Sequence, residues 1–215
     1  YSLTELGLAL DGSADQSLKA WAIFEGQMLS QSWSGMLETI MTGQTAAQLQ
    51  GLDNSFELMS RSPENIDIFN AAMVDLTRLV TPDILSAFDF GQISHLMDVG
   101  GGSGELIGAI ARQYPGIRGT VFDLPRCKPA AEKYLQRLWV SNRAMFVSGN
   151  FFETIPFIAD AIILKSVIHD WNDERCIHIL RNCHRALPRD GTLLLVERII
   201  PETPTASEVD KAHFM

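Results

Sequence analysis

Short apolar runs alternate with stretches of helical period from residue 91 onwards. Short apolar runs bounded by turn residues are typical of buried strands, and the longer periodic stretches are typical of helices. Strands and helices in alternation predict a parallel sheet with crossover helices, an α/β fold. The predicted strands are 94–99, 119–123, 144–148, 160–165 and 192–199, and the predicted helices are 103–113, 127–139 and 172–187.

Residues 1–90 show helical period instead. Apolar side chains recur at helical spacing over Ser17–Met41, with a break predicted near Ser30–Ser34. Ser62-Pro63 is typical of a helix start, and Thr81-Pro82 predicts a second one. The pattern also allows a strand at the very start of the chain.

The change of pattern after Phe90 predicts two regions. We expect a helical region over 1–90, acting as a substrate lid or a dimer interface, and a sheet region over 91–215. The chain begins at Tyr1, and Met215 falls within a helix predicted from about Ser207. We therefore expect the sequence to be part of a longer one.

The strand at 94–99 runs into the glycine-rich turn D-V-G-G-G-S-G. Glycine at Gly100, Gly102 and Gly104 leaves the backbone open to a ligand, and Asp98 adds a carboxylate. The pattern D-x-G-x-G-x-G after a strand is typical of an S-adenosylmethionine site. A nicotinamide dinucleotide site needs G-x-G-x-x-G, so the spacing disfavours an NAD-dependent oxidoreductase. The alternative is a glycine-rich turn that binds no ligand.

Polar residues gather where the predicted strands end, which is where open parallel sheets bind ligands. They are Asp98, Asp123, Asn150, Lys165, His169, Asp170 and Glu197.

Composition and charge narrow the class of partner. The 215 residues are 46% hydrophobic with a formal net charge of −9, so we expect a soluble globular protein that binds a small molecule and no nucleic acid. No apolar stretch reaches the roughly 20 residues that span a bilayer, and the first residues given lack the basic and apolar regions of a signal peptide. We expect no membrane partner and a cytoplasmic location.

Three cysteines, Cys127, Cys176 and Cys183, form no C-x-x-C pair. His178 and His184 share the predicted helix with two of them, but the spacing matches no zinc site. Buried cysteines and surface histidines are favoured over a metal cluster, and no metal is predicted.

Four motifs together resemble the small-molecule O-methyltransferases, a family that includes plant caffeic acid and flavonoid enzymes and bacterial natural-product enzymes. The resemblance implies a Rossmann-like methyltransferase domain, preceded by a helical remnant of a winged-helix dimerisation domain. It also implies a homodimer, S-adenosylmethionine as cofactor and a phenolic or enolic acceptor from secondary metabolism. The motifs are D-V-G-G-G-S-G, V-F-D-L-P from Val121, L-K-S-V-I-H-D-W from Leu164 and L-V-E-R-I-I-P from Leu195.

The resemblance also implies a cofactor site. Gly100 and its neighbours would line the methionine part, and Asp123 would accept hydrogen bonds from the ribose hydroxyls, as a carboxylate at a strand tip does. The family usually has aspartate where this chain has Asn150, whose amide oxygen would accept from the adenine amino group. Lys165 would lie near the cofactor, or pair only with an acid. The implied set is Asp98, Gly100, Gly102, Asp123, Leu124, Asn150, Phe151 and Lys165.

His169 matches the general base of the family, and Glu197 matches the acid that orients it. A phenol with a pKa of about 10 is a poor nucleophile at neutral pH, and an ordinary histidine with a pKa of about 6.5 can take its proton. A surface or capping histidine is the alternative for His169, and a salt-bridging acid is the alternative for Glu197. Asp170 is interpreted as a helix cap and Trp171 as core.

Asn70 and Met73 match family positions that line the substrate cavity, although a methionine at helical spacing is equally typical of core. A cofactor-binding scaffold of the same family that no longer methylates is the competing hypothesis. The pair His169 and Glu197 argues against it, and Asn150 argues weakly for it.

Overall fold

The computed structural model describes residues 2–14, 16–52, 56–57, 62–156 and 159–199. The chain forms two compact units, Tyr1–Ala87 and Phe88–Met215. None of the helices described combines the length and apolarity that a membrane crossing requires.

The described part of the first unit is helical. Its longest helix, α5, has 25 residues, and the helices before it are short. The helices are α1 (Glu5–Leu8), α2 (Lys19–Phe24), α3 (Ser30–Ser34), α4 (Met36–Thr42) and α5 (Pro63–Ala87).

The break predicted near Ser30–Ser34 lies at Gly35, one residue beyond that range, and Ser30–Ser34 itself forms α3. The irregular positions lie on either side of it, in a π-helical turn at Glu25–Leu29 and at Gly35. The serine hydroxyls bond back to helix carbonyls without breaking α3, as Ser30 Oγ donates to the Gly26 carbonyl at 2.7 Å. Glycine has a low helix propensity, so the backbone interrupts at Gly35 instead.

The helix start predicted at Thr81-Pro82 is wrong. Helix α5 continues through Pro82, although proline has no N–H to donate within the helix. The Thr81 hydroxyl donates to the Thr77 carbonyl at 2.7 Å, and Thr81 and Ile84 are buried. Packing of this face therefore outweighs the local preference for a break.

The open question at the start of the chain is resolved in favour of a helix. Within residues 2–14 the structure has α1 and no strand, and the Thr4 hydroxyl caps α1 by accepting from the Gly7 N–H. The helix predicted from Ser207 lies outside the described residues.

The buried carboxylate of Asp75 joins two helices of the first unit. It lies on α5 and accepts from the backbone N–H groups of Ala20, at 2.8 Å, and Trp21, at 3.2 Å, on α2. These donors lie in the first turn of α2, where no partner exists within the helix.

The second unit is built on a parallel sheet, which confirms the predicted fold class. Its strands are β1 (His95–Val99), β2 (Arg118–Asp123), β3 (Ala144–Ser148), β4 (Ala161–Lys165) and β5 (Thr192–Val196). The order is β3-β2-β1-β4-β5, and every neighbouring pair is parallel. Strand order reverses beside β1, which is where such sheets bind ligands.

Three helices of the second unit follow the predicted positions closely. Apolar side chains of β1 and β4 and one face of α8 form a continuous core, with Met97, Leu164 and Ile179 essentially fully buried. The helices are α6 (Glu105–Gln113), α7 (Lys128–Arg137) and α8 (Asp173–Ala186).

Strand β5 ends at Val196, three residues before the predicted end at 199. The Val196 carbonyl still accepts from the Ser166 N–H at 2.9 Å. The next residue, Glu197, instead uses its side chain to bind the loop that follows β4. The ladder therefore stops where the candidate site begins.

Candidate active site

The glycine-rich turn joins β1 to α6 at the carboxyl edge of the sheet. Gly102 has a φ of +53°, and a Cβ built on it would meet no atom within 4 Å. A positive φ there is strained for other residues, and the open space leaves the backbone accessible. Gly100 differs, because its Cβ would lie 2.9 Å from Cγ2 of Val167. The turn thus packs closely against the loop after β4.

Gly101 is a further required glycine that sequence analysis treated as a variable position. A Cβ at Gly101 would lie 2.7 Å from the carboxyl group of Asp98. The uninterrupted triple glycine was the available signal. Its middle member makes room for a buried carboxylate and not for a ligand.

Asp98 and Lys165 form an electrostatically coupled pair at the ends of β1 and β4. Asp98 is only 3% exposed. Burial raises the pKa of Asp98 to about 7, although the charge of Lys165 opposes the shift. Burial lowers the pKa of Lys165, while Asp98 and Glu197 act in the opposite direction. The site therefore holds a carboxyl group that titrates near neutral pH.

Asp123 ties the end of β2 to the glycine-rich turn. Its Oδ2 accepts from the Gly102 N–H at 2.8 Å, and its Oδ1 accepts from the Leu124 N–H at 2.6 Å. Each carboxylate oxygen has a second lone-pair direction. Asp123 can therefore hold the turn and still accept hydrogen bonds from a ligand.

Asn150 organises the loop after β3. Its amide oxygen accepts from the Phe152 N–H at 3.0 Å, as in an Asx turn. That oxygen retains one acceptor direction. The Phe151 ring lies near the glycine-rich turn, with Cε1 at 3.8 Å from a Cβ built on Gly100.

Asn182 on α8 supports the same loop and was missed by sequence analysis. Its side chain is almost fully buried, and Nδ2 donates to the Phe151 carbonyl at 2.8 Å. A polar residue on an amphipathic helix carries no signal for a partner 31 positions away in the chain. This contact fixes the backbone of a candidate cofactor-binding residue.

Glu197 joins β5 to the loop after β4 through three hydrogen bonds. Its Oε1 accepts from the N–H groups of Val167 at 2.9 Å and Ile168 at 2.8 Å, and Oε2 contacts Nδ1 of His169 at 2.6 Å. Burial raises the pKa of Glu197, but these hydrogen bonds outweigh it, so the pKa lies below the ordinary value. An ionised carboxylate only accepts, so Nδ1 carries the hydrogen.

His169 lies in a 3-10 turn, Ile168–Asp170, with its ring half exposed. Its second nitrogen, Nε2, is 3.5 Å from Oδ1 of Asp170. The interpretation of Asp170 as a helix cap is wrong, since the Asn172 side chain caps α8 by accepting from the Arg175 N–H. The cap therefore lies two residues later, leaving the Asp170 side chain beside His169.

Trp171 packs against the core, as interpreted from the sequence. Its ring meets the Phe152 ring edge-on, with centroids 4.7 Å apart. The Arg175 guanidinium lies over both rings, at 5.2 Å from the Trp171 centroid and 5.5 Å from the Phe152 centroid. This cluster supports the loop after β3 from the side of α8.

The cysteines are not arranged as metal ligands. Burial raises the pKa of Cys127 and of Cys183 to about 12, so both are thiols at neutral pH. Cys176 Sγ donates to the carbonyls of Ile168 and Trp171, each at 3.3 Å. No group of three metal-binding side chains occurs among the residues that the structure describes.

Asn70 and Met73 lie on α5 in the first unit, both partly buried. The Met73 carbonyl accepts from the Thr77 hydroxyl at 2.7 Å. Their assignment to a substrate cavity stays a prediction.

Comparison with known proteins identifies the family of this chain. A family model described as an O-methyltransferase domain matches residues 33–214. The chain belongs to this O-methyltransferase family. The phenazine O-methyltransferase PhzM of Lysobacter antibioticus is 36% identical over 202 residues, which are 94% of this chain and 59% of that protein.

Solved structures of family members share the fold. The crystal structure of LaPhzM matches with a TM-score of 0.87 at 36% identity, over 93% of this chain and 60% of that one. An O-methyltransferase from neocarzinostatin biosynthesis, in complex with S-adenosylmethionine and 2-hydroxy-5-methyl naphthoic acid, matches with a TM-score of 0.80 at 30% identity. That match covers 93% of this chain and 62% of the other. The chain thus spans about three fifths of the length of these relatives.

We predict that Asp98→Asn changes how stability depends on pH. The folded-state pKa of about 7 exceeds the ordinary 3.8, so the folded protein retains a proton that the unfolded chain has lost. Wild-type stability therefore falls as pH rises through this window, whereas asparagine does not titrate. The free energy of unfolding of Asp98→Asn, minus that of the wild type, should therefore increase by about 2–3 kcal/mol from pH 5 to pH 8.

Urea unfolding at the two pH values, followed by circular dichroism, measures this gain. Asp190→Asn is the matched control, because Asp190 is exposed in the same unit. A stability difference between Asp98→Asn and the wild type that does not change with pH would contradict the assignment.

Proposed function

We propose that the protein transfers the methyl group of S-adenosylmethionine to a hydroxyl group of a small phenolic or enolic molecule, with His169 as the general base. The observation that carries the proposal is the contact of Glu197 with His169, whose loop packs against the glycine-rich turn. Family membership and the cofactor bound in a related structure support it.

The residues at the sheet edge fit this cofactor. The open backbone at Gly102 and the free acceptor directions of Asp123 suit its amino acid and ribose parts. Gly100, Leu124, Asn150, Phe151 and Lys165 would complete the site, with Asp98 beneath the turn. When bound, S-adenosylmethionine would supply an electrophilic methyl group on its sulfonium and a neutral thioether as leaving group. The residues of the chain then have to bind and orient the acceptor oxygen in line with that methyl group.

His169 is arranged to accept the proton of the acceptor. Glu197 occupies Nδ1 and fixes its hydrogen there, which leaves the lone pair of Nε2 for an acceptor hydroxyl. General base catalysis of this kind contributes roughly 10²–10⁴-fold to a rate. The low pKa of Glu197 keeps its carboxylate charged while the ring becomes positive.

The named relatives indicate the acceptor class. One of them is a phenazine O-methyltransferase, and a related structure holds a hydroxylated naphthoic acid. We infer a fused or substituted aromatic acceptor from secondary metabolism. The alternative hypothesis, a scaffold that binds the cofactor without methylating, predicts cofactor binding with no product. A cytoplasmic location stays a prediction.

We propose further that the protein is a homodimer, and that Asn70 and Met73 contact the acceptor as the family resemblance implies; observations on the first unit bear on the dimer alone. The α2–α4 segment of this unit carries an apolar groove of about 340 Å³, lined by Phe24, Met28 and Trp33 among others. On α4, Leu37, Ile40 and Met41 are 74%, 70% and 77% exposed. Neighbouring apolar side chains with this exposure are typical of an interaction surface.

We predict a dimeric mass by light scattering, and dissociation when the α4 surface is made polar by Ile40→Glu with Met41→Glu. Glu38→Gln on the same helix is the control, because it removes a charge and no apolar area. A monomeric mass for the wild type would contradict this part of the proposal.

We predict that His169→Ala abolishes methyl transfer while affinity for S-adenosylmethionine stays within about twofold of the wild type. Mass spectrometry with methyl-labelled cofactor and a panel of phenolic, quinone-derived and phenazine acceptors measures the product, and calorimetry measures cofactor binding. His184→Ala, an exposed histidine on α8, should retain full activity.

Full activity of His169→Ala would show that His169 is not the base. Cofactor binding by the wild type without any product would favour the scaffold hypothesis.

A further inference from the structure

His169 lies between two carboxylates, one on each ring nitrogen. Glu197 Oε2 is 2.6 Å from Nδ1, and Asp170 Oδ1 is 3.5 Å from Nε2. Only the first contact is explained by orientation of the ring. The second places a negative charge next to the nitrogen that, under the proposed function, receives the proton.

No contact among the described residues shows the Asp170 side chain supporting the local fold. Asn172 caps α8, and the backbone N–H of Asp170 donates to the Val167 carbonyl at 3.3 Å without using the side chain. Among the described residues, His169 provides the close polar contact of the Asp170 carboxylate. The side chain is therefore available for a role at the histidine.

We propose that Asp170 is a positioning residue for the reaction, whose carboxylate stabilises the positive charge that the His169 ring acquires when Nε2 takes the proton. This inference rests on the proposed function. In the step concerned, the acceptor O–H proton moves to Nε2 as the oxygen–carbon bond forms. The sulfur–carbon bond breaks, and its electron pair stays on sulfur. The proton leaves the ring for water after the transfer.

The charges around the ring favour this role. Glu197 and Asp170 are the acids beside His169, and Asp173 on α8 adds a more distant negative charge near Cys176. The cation Lys165 interacts favourably with Asp98 and Glu197, and the charge of Arg198 opposes it.

Burial raises the pKa of Asp170, the charge of His169 lowers it, and that of Glu197 raises it again. The carboxylate and the ring thus respond to each other. A positive ring favours the ionised form of Asp170, and an ionised Asp170 favours the positive ring.

Asp170→Asn tests the inference, because it removes the charge and preserves the shape. We expect kcat/KM to fall by roughly 10-fold to 100-fold and the acidic limb of its pH profile to move to lower pH. The limb moves in that direction because the ring gives up its proton more readily without the neighbouring carboxylate. Cofactor affinity should stay within about twofold of the wild type, and Tm should be unchanged. Asp173→Asn, the same change three residues later, should reproduce the wild-type profile.

An NMR titration of the His169 ring gives a readout that does not depend on activity, with His169→Ala assigning the signal. The pH midpoint at which the ring gains its proton should be lower in Asp170→Asn than in the wild type. If methyl transfer failed for every acceptor, this shift would still show whether the Asp170 charge acts on the His169 ring.

Two results would overturn the inference. One is an unchanged ring titration in Asp170→Asn. The other is a loss of activity that comes with weaker cofactor binding and a lower Tm but no shift of the pH profile, which would show a purely structural role.

Discussion

The candidate site depends on one carboxylate. Glu197 lies just beyond β5 and accepts hydrogen bonds from the backbone of Val167 and Ile168 and from the ring of His169. Hydrogen bonds to a charged acceptor are stronger than neutral ones, and here three donors from one loop share it. The loop after β4 is therefore fixed to the neighbouring strand, and the histidine is oriented by the same group that fixes the loop.

The same loop also connects His169 to the glycine-rich turn. Val167 fills the space that a side chain at Gly100 would need, and Ser166 before it adopts a positive φ of 56°. A non-glycine residue in that region is strained, and such strain is typical of functional loops. Below the turn, buried Asp98 faces the charge of Lys165. The glycine-rich turn, His169 and the buried pair of Asp98 and Lys165 thus belong to one connected edge of the sheet.

Sequence analysis predicted the strands and the site residues that follow from regular patterns along the chain. Strand β3 has the predicted bounds, and Asp123 and Glu197 could be placed at the sheet edge because parallel strands end on the same side. Long-range contacts outside the family motifs were not predictable. The Asn182 contact with the loop after β3 depends on how α8 packs, and the continuity of α5 through Pro82 depends on burial that overrides local preference.

The most direct test of this account is the methyl-transfer rate of Glu197→Gln at saturating cofactor and acceptor. Glutamine retains an oxygen for the Val167 and Ile168 N–H groups, but its amide donates towards Nδ1 and favours the tautomer whose Nε2 already carries a hydrogen. The account predicts a loss of roughly 10²–10⁴-fold with the fold and cofactor affinity retained. A rate equal to that of the wild type would contradict it.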